Sequence, residues 1–462
     1  MSLKDDAREP EVAVPAPAQS ADLKRGLRQT MLRLHFYVGI LVAPFIFVAA
    51  FSGLLYALSY PVEDAMYADL TGVSESGDET MPLNSQVNAV LTEYPDATVA
   101  AVRPAPDADS TTQVLISGVD VPGGGSEGSP VAFVNPYTGE VQGLSTTYGS
   151  SSAMPVREWV STLHRNLHLG EPGRLYSELA ASWLWVLALG GLVLWFFNRR
   201  QKKNGSARAK SVRRHKGTGV IVLAVLLFLS ATGLTWSTYA GKSIGDVRAQ
   251  LGWTQPSISN AGGGGDHAHH GGGSDSDEGN EWALREIEDV AAEAERQGIR
   301  SPYEITLPTT MGEDFMVAER QRSFPVQQDK MVLSAHEHEV VDSLAFSDWP
   351  WIAKAINVTI ALHMGLLFGL PNQIALALVM GGLVYMIYLG YKSWWQRRRS
   401  DSLVGRPFPR GGLRKLPWWA WVPTAFLTVL LCWFMPLFGI PLVAFFLVDF
   451  VVAGRRTSEP AG

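Results

Sequence analysis

The sequence predicts an α-helical membrane protein with four core spans in two parallel repeats, a C-terminal helical hairpin and two extracytoplasmic α+β modules. Three observations predict this class. Hydrophobic residues make up 47% of the 462 residues, and the mean hydropathy of +0.06 is high for a soluble protein but low for a bare bundle of membrane helices. Basic residues are concentrated in the short connections between apolar runs. The same order of elements occurs twice along the chain.

Apolar runs of about 20 residues, the length that a helix needs to cross hydrocarbon, define the spans. The four runs are residues 36–58, 178–197, 217–239 and 372–391. A fifth apolar region, 416–453, is too long for one span and is interrupted by Pro436 and Pro441. Because proline disrupts a continuous helix, this region is predicted to form a helical hairpin.

The orientation follows from the basic connections. Residues 199–216 contain nine lysines and arginines, and residues 392–415 contain eight. The positive-inside rule places both connections and both termini in the cytoplasm, as expected for a multi-pass protein of the bacterial plasma (inner) membrane. The first span lacks a small-residue cleavage site, so it is predicted to be an uncleaved anchor.

These assignments divide the chain into segments. They are a disordered cytoplasmic tail (1–30), span 1 (31–58), a first extracytoplasmic module (59–154), an outer helix with span 2 (155–198), a basic loop (199–216), span 3 (217–239), a Gly/His-rich linker with a second module (240–350), an outer helix with span 4 (351–391), a second basic loop (392–415) and the hairpin (416–453). The segments "TQVLISGV" and "VAFVNPYTGEVQGL" of the first module alternate in polarity as hairpin strands do.

Composition excludes several classes of protein. The single cysteine, Cys432, excludes a disulfide framework or thiolate metal cluster within the chain. The basic loops are explained by topology, so the net charge of −6 gives no reason to expect nucleic acid as a partner. No phosphate-binding loop, dinucleotide fingerprint or nucleophile elbow is present.

An internal repeat is the strongest signal. "RLHFYVGILVAPFIFVAAFSGL" from Arg33 and "RRHKGTGVIVLAVLLFLSATGL" from Arg213 share the pattern R-x-H-x3-G-x12-[ST]-G-L. "LHRNLHLGEP" from Leu163 and "LHMGLLFGLP" from Leu362 share L-H-x2-L-x2-G-x-P. Since the order of elements is the same in both halves, the repeat is predicted to be parallel, about an axis normal to the membrane.

Four of the ten histidines occupy equivalent places in the two halves. His35 and His215 lie at the cytoplasmic ends of spans 1 and 3, and His164 and His363 lie near the outer ends of spans 2 and 4. A two-fold axis would turn each pair into facing partners. Two facing imidazoles supply both axial ligands of a six-coordinate haem iron, so the sequence predicts two b-type haems.

Glycines in register with the first pair support this hypothesis. Gly39 and Gly53 follow His35 at helical spacing, and Gly219 and Gly233 repeat the spacing after His215. On a continuous helix both glycines return close to the face of the histidine, which would clear space for a flat porphyrin. The alternative is that the histidines are interfacial anchors and the glycines pack helices together.

Other histidines leave alternatives open. His168 lies four residues after His164, on the same predicted helical face. Either histidine could therefore be the ligand of the outer haem. "DHAHH" (His267, His269, His270) is interpreted as an incidental part of the soluble linker rather than a loose metal site. "HEHE" (His336, His338), taken as part of a strand, is interpreted as a solvated edge rather than a metal or siderophore contact.

The quoted motifs, together with "VNPYTGEV" and "LHMGLLFGLPNQ", resemble those of the PepSY-associated transmembrane proteins over residues 30–453. Members of this family are often iron-regulated membrane proteins, and some are ferric-siderophore reductases with b-type haems. The resemblance implies that the modules are PepSY domains and that His35, His164, His215 and His363 are axial ligands. The second module departs from the family in having "HEHEVVDS" where a P-x-T-G-E turn is expected.

The resulting functional hypothesis is a transmembrane di-haem oxidoreductase. A membrane or cytoplasmic donor would supply electrons, because the cytoplasmic connections are too short for a flavin or nicotinamide domain, and a ferric siderophore outside would accept them. One alternative is a PepSY scaffold that binds peptides or modulates an envelope protease, with histidines that pack or sense pH. A metal permease is the third hypothesis, but the spans carry almost no acidic residue, Asp449 being the exception.

Overall fold

The structure is a computed structural model, and it describes residues 18–73, 76–198, 205–258, 276–308, 310, 312–397 and 418–455. The DHAHH segment and most of the second basic loop lie outside the described residues. Residues 18–30, predicted to be part of a disordered tail, form the beginning of the first helix.

The described elements alternate between long helices and short strands. The helices are α1 Ala18–Leu41, α2 Ala43–Met66, α3 Ala68–Thr71, α4 Leu83–Glu93, α5 Pro155–Asn166, α6 Gly170–Asn198, α7 Ala207–Leu234, α8 Tyr239–Gln250, α9 Ser276–Arg296, α10 Trp351–Met364, α11 Leu370–Trp395, α12 Trp418–Phe434 and α13 Pro436–Arg455. The strands are β1 Thr98–Arg103, β2 Thr112–Ser117, β3 Ser129–Val134, β4 Val141–Thr147, β5 Tyr303–Thr306, β6 Phe315–Glu319, β7 Lys330–Leu333 and β8 Val340–Leu344.

Four of these helices are long and apolar enough to cross a bilayer. Helices α2, α6, α7 and α11 contribute apolar stretches of 24, 28, 28 and 26 residues. At about 1.5 Å per residue each exceeds the thickness of the hydrocarbon core, about 30 Å. The predicted number of core spans is therefore confirmed, and the chain is a multi-pass membrane protein.

The described chain divides into two compact units. The first consists of Met1–Phe45, Leu179–Ser230 and Tyr385–Gly462, and the second of Ile46–Glu178 and Ala231–Val384. All eight strands belong to the second. We call the first the helical unit and the second the sheet unit, and describe each by itself.

In the helical unit, the predicted first span is broken near its start. Helix α1 ends at Leu41 and α2 begins at Ala43, because Pro44 has no N–H to donate to the carbonyl oxygen of Ile40, four residues earlier. The hydroxyl of Tyr391 in α11 donates to that oxygen at 2.9 Å. The prediction of one continuous helix from His35 to Gly53 is therefore wrong, although α7 is continuous from His215 to Gly233.

The C-terminal apolar region of the helical unit forms two helices, α12 and α13, which meet at Met435. They pack closely, since a Cβ atom on Gly439 would overlap the backbone of Cys432. Phe438 packs on the indole of Trp183 with ring centroids 4.7 Å apart. The indole N–H of Trp183 donates to the carbonyl oxygen of Leu437 at 3.2 Å, which ties α13 to α6.

In the sheet unit, the eight strands form one antiparallel sheet in the order β4-β3-β2-β1-β5-β6-β7-β8. We call β1–β4 with α4 the first subsheet and β5–β8 with α9 the second subsheet. They join where β1 pairs with β5, with Ala101 opposite Thr306 and Val102 opposite Ile305. The two predicted modules are therefore halves of one sheet.

Helices α4 and α9 both cover the larger hydrophobic core of the sheet. Val102 and Ile305, from the two joined strands, are fully buried, as are Val87 of α4 and Ile287 of α9. Alternate residues of β5 and β6 face this core, which is the pattern of strands buried on one face. Burial of this apolar surface holds the two subsheets together.

Candidate functional site: two histidine pairs

The first histidine pair lies in the helical unit. His35 of α1 and His215 of α7 are adjacent, with ring centroids 6.3 Å apart and ring planes at 82°. Both side chains are partly buried. The structure therefore brings together the two residues that the sequence repeat pairs.

Glycines of α6 allow His35 to approach. A Cβ atom on Gly191 would lie 3.3 Å from Cε1 of His35, and one on Gly190 would lie 3.7 Å from Nδ1. A side chain at position 191 would press against the imidazole, whereas one at position 190 would make an ordinary van der Waals contact. Nδ1 of His35 is buried and makes no hydrogen bond within the described part of the chain.

His215 is held in one tautomer. Its Nδ1 lies 2.9 Å from the carbonyl oxygen of Met386. Because a carbonyl oxygen only accepts, Nδ1 must carry the proton and donate it. In the neutral ring the lone pair is then on Nε2, the nitrogen that is available to a metal ion.

The second pair lies in the sheet unit, and Ser52 orients its first member. Nδ1 of His164 in α5 is 3.0 Å from Oγ of Ser52 in α2. The Ser52 hydroxyl donates its hydrogen to the carbonyl oxygen of Val48 at 2.7 Å, so its oxygen accepts from Nδ1 of His164. The lone pair of His164 is therefore also on Nε2.

His363 of α10 has the corresponding partner in the other half of the chain. Its Nδ1 is hydrogen bonded to Oγ1 of Thr232 in α7. Ser52 and Thr232 occupy the same position, [ST], of the repeated R-x-H-x3-G-x12-[ST]-G-L motif. The indole of Trp236 packs edge-on against His363, with ring centroids 5.9 Å apart.

Burial favours the neutral form of His164 and His363. They lie in α5 and α10, outside the four membrane-spanning helices. Burial lowers the pKa of His164. Burial, and after it the nearby His164, lowers the pKa of His363 to about 3. A neutral imidazole is the form that binds metal.

A buried ion pair fixes the beginning of α5. The carboxylate of Glu63 in α2 accepts from Nε of Arg157 at 2.9 Å and from the backbone N–H of Met154 at 3.1 Å. The two charged side chains are only 6% and 7% exposed. The guanidinium of Arg157 also lies 4.7 Å from the centre of the Tyr60 ring. Breaking such a buried pair is costly, so α5 is held firmly against α2.

Side-chain donors fix the C-terminal ends of α5 and α10, next to the two histidines. The Tyr176 hydroxyl lies 3.1 Å from the carbonyl oxygen of Leu163. The side-chain amide of Asn372 donates to the carbonyl oxygen of Leu362 at 3.0 Å. The Tyr60 hydroxyl donates to the carbonyl oxygen of Met364 at 2.7 Å. The carbonyl oxygens of Leu163 and Leu362 also accept backbone bonds from Leu167 and Gly365, so the side-chain donors add a second contact that holds each helix end in place.

The predicted glycines have different surroundings. A Cβ atom on Gly53 would lie 3.3 Å from Cε1 of His164, so Gly53 makes room for that ring. One on Gly219 would lie 3.1 Å from Cε of Met386, and one on Gly39 would meet no atom within 4 Å. Gly233 directly follows Thr232 in α7. Among Gly39, Gly53 and Gly219, Gly39 is the one whose added Cβ atom would meet no neighbouring atom.

His168 does not share a helical face with His164. Helix α5 ends at Asn166, and Leu167 and His168 both adopt left-handed backbone conformations with φ of 58° and 57°. The exposed ring of His168 packs on Trp159, with centroids 4.9 Å apart. His336 and His338 likewise lie in the turn between β7 and β8, not on a strand.

The separation of the two rings in the first pair suits two imidazoles that bind one metal ion. With metal–nitrogen bonds of about 2 Å, the centroids of two such rings are about 6 Å apart. The observed separation is 6.3 Å. The buried, unbonded nitrogen of His35 and the free Nε2 of His215 complete a donor set that suits haem iron.

A separate cleft in the sheet unit carries positive charge. Its volume is about 380 Å³, and its lining includes Arg103, Arg320, Arg322 and Gln113 from both subsheets. Leu366, three residues after His363, also lines it. The cleft therefore extends to the turn that follows the helix of the second histidine pair.

Glu304 holds two of the cleft arginines. Nε of Arg103 lies 2.6 Å from one carboxylate oxygen, and Nη1 of Arg320 lies 3.2 Å from the other. Burial by itself would raise the pKa of Glu304, but Arg320 and Arg103 outweigh it and hold this pKa below its usual value. Two guanidinium groups share one carboxylate, so the trio keeps a positive charge.

Sequence reasoning missed two parts of this arrangement. Ser52 and Thr232 were visible in the repeated motif, where conservation of a hydroxyl between the two halves was the available signal. No sequence pattern indicates the cleft, because Arg103 and Glu304 lie 201 residues apart and meet only through the pairing of β1 with β5.

The fold and site define a class of protein: a multi-pass membrane protein with an antiparallel sheet and paired, buried histidines. A family model, the PepSY-associated TM region, matches residues 32–397. The chain belongs to this family, and the resemblance inferred from its motifs is confirmed. A comparison with curated proteins found no match.

The low pKa of Glu304 predicts an acid-dependent loss of stability. This carboxylate stabilises the folded state above its unfolded pKa, and the contribution disappears as the pH falls through its folded pKa. Glu304→Gln should cost about 3–5 kcal/mol at neutral pH by leaving two arginines without a counter-charge, and should flatten the acid dependence. Melting temperatures of the detergent-solubilised protein from about pH 7 to about pH 3 measure both effects.

Glu281→Gln is the matched control, because the Glu281 side chain is 79% exposed. It should melt as the unchanged protein does across the whole range. Parallel pH profiles for the unchanged protein and Glu304→Gln would contradict the assignment.

Proposed function

We propose that this protein transfers electrons across the bacterial plasma membrane through two b-type haems and reduces a ferric siderophore outside, as a step in iron acquisition. The observation that carries the proposal is the arrangement of the two histidine pairs. In His164 and His215 Nδ1 is bonded to an oxygen of a neighbouring helix, so Nε2 is left for a metal. The ring of His363 is hydrogen bonded in the same way to Thr232.

His35 and His215 would hold one haem, and His164 and His363 the other. A haem with two imidazole ligands supplies one-electron redox chemistry. The chain's own contribution is to orient the imidazoles: Ser52 and the Met386 carbonyl fix the tautomers of His164 and His215, and Thr232 holds the ring of His363. Some members of the family to which the chain belongs are ferric-siderophore reductases, which agrees with this assignment.

The proposed orientation places the sheet unit outside the cytoplasm and both termini inside. It rests on the lysines and arginines of residues 199–216 and 392–415, since cytoplasmic loops carry an excess of such residues. Electrons would come from a separate membrane or cytoplasmic donor. In this orientation the joined subsheets are the two PepSY modules of the repeat.

The cleft is the proposed site of the acceptor. Arg103 and Arg320 with Glu304 leave a net positive charge, which attracts an anionic chelate. Leu366 connects the cleft wall to the turn after His363. One electron converts Fe(III) to Fe(II), which hard oxygen ligands hold less tightly, so the chelate would release iron.

The first prediction concerns haem content. Reduced-minus-oxidised visible spectra of the purified protein should show b-type haem bands, and His35→Ala and His363→Ala should each remove about half of the signal, because each removes one of two axial ligands from a different site. His168→Ala is the control and should leave the signal intact, since His168 packs on Trp159 instead. Absence of haem bands would exclude the proposal, and equal loss of all signal in both variants would exclude two separate sites.

A second prediction concerns Ser52. Ser52→Ala removes the oxygen that accepts from Nδ1 of His164, so haem affinity at that site should fall about 10–100-fold, as for other partners of ligating histidines. Ser52→Thr should bind as tightly as the unchanged protein, because Thr232 has this role beside His363. Haem titration of the apoprotein measures the difference. Equal affinity of Ser52→Ala and the unchanged protein would show that the serine only packs.

A third prediction concerns the cleft. Arg320→Gln removes a charge from the lining, so the KM for an anionic ferric chelate should rise about tenfold or more, the value of one charge-assisted hydrogen bond. Steady-state reduction of the chelate by the reduced protein measures this effect. Arg300→Gln, at a side chain that is 64% exposed, is the control and should leave the KM unchanged. An unchanged KM in Arg320→Gln would place the acceptor elsewhere.

A further inference from the structure

Three metal-ligating side chains converge on one side of the second subsheet. Glu286 and Asp289 of α9 and His338 of the β7–β8 turn each place a ligand atom within 4.8 Å of the other two. This cluster is separate from both histidine pairs and from the arginine cleft. None of the functions assigned above uses it.

His338 is held in an unusual position. Its backbone has φ of 51°, in the left-handed region. Its Nε2 is buried and makes no hydrogen bond among the described residues, although it lies 3.3 Å from a carboxylate oxygen of Glu286. A buried imidazole nitrogen that makes no hydrogen bond is costly unless a ligand completes it.

The β3–β4 turn of the first subsheet corresponds to the β7–β8 turn but has no histidine. The β3–β4 turn is closed by a hydrogen bond from the N–H of Asn135 to the carbonyl oxygen of Glu140, and the β7–β8 turn by the same bond from Ser334 to Glu339. The residue before the accepting glutamate is Gly139 in the first turn, with φ of 72°, and His338 in the second. His338 therefore takes a position that favours glycine.

Helices α4 and α9 also differ at the positions of the cluster. The buried residues Val87 and Val90 of α4 correspond to Ile287 and Val290 of α9. This alignment places Gln86 where α9 has Glu286, and Ala89 where α9 has Asp289. At all three cluster positions the second subsheet thus has a residue that commonly binds transition-metal ions, where the first has glycine, glutamine or alanine.

We propose that Glu286, Asp289 and His338 bind a divalent transition-metal cation. One imidazole and two carboxylates are a donor set for Zn²⁺, Fe²⁺ or Mn²⁺. The two carboxylates balance the charge of the ion, and water completes its coordination on the exposed side of Asp289. The site stands independently of electron transfer, because it shares no residue with the proposed haem or acceptor sites.

Zinc titration of the full-length protein in detergent tests the site. The background is His267→Gln/His269→Gln/His270→Gln, which removes the linker histidines as competing ligands. One Zn²⁺ should bind at the cluster in this background. Adding His338→Gly or Glu286→Gln should weaken that binding at least about tenfold, since even indirect partners of metal ligands contribute 10–100-fold.

Both substitutions install the residue that the first subsheet has, and glycine relieves the left-handed backbone at position 338, so the fold should persist. The melting temperature without metal checks this. His336→Gln is the control and should bind Zn²⁺ as the background does, because His336 packs on Trp282. Unchanged binding in His338→Gly or Glu286→Gln, or no Zn²⁺ bound by the background, would overturn the proposal.

Discussion

The proposed site depends on one interaction, the hydrogen bond that holds Nδ1 of a buried imidazole. A free imidazole exchanges tautomers and rotates, and neither state presents a fixed lone pair to a metal. Ser52, Thr232 and the carbonyl of Met386 each bond one Nδ1. Because the partner lies on another helix, the same bond orients the ring and fixes the spacing of the two helices. Substituting the oxygen would disturb both properties together.

The ends of α5 and α10 must be positioned for these bonds to form. The buried pair of Glu63 and Arg157 anchors the start of α5, while Tyr176 and Asn372 bond carbonyls beside His164 and His363. A buried ion pair contributes little net stability, but loss of one partner is severe. The Glu63–Arg157 pair instead fixes the position of α5 against α2. The polar groups of the sheet unit thus specify position more than they add stability.

The joining of two subsheets through β1 and β5 creates a surface that neither half has alone. It brings Arg103 of β1 to Glu304 of β5 and places Arg320 on the other carboxylate oxygen. The resulting cleft is positively charged and reaches Leu366, next to the second histidine pair. The two subsheets differ in chemistry, since His338 and Glu286 stand where the first subsheet has Gly139 and Gln86.

The sequence by itself determined the number of core spans, the family and the paired placement of the histidines. These properties depend on apolar length and on a repeated motif, both of which can be read directly along the chain. Only the tertiary structure decided that Pro44 breaks the first span, that His168 lies beyond the end of α5, that Ser52 bonds a ring 112 residues away and that the subsheets form one sheet. Each depends on partners distant in the chain or on where a helix ends, and a hydrogen bond between distant residues leaves no periodic trace in the sequence.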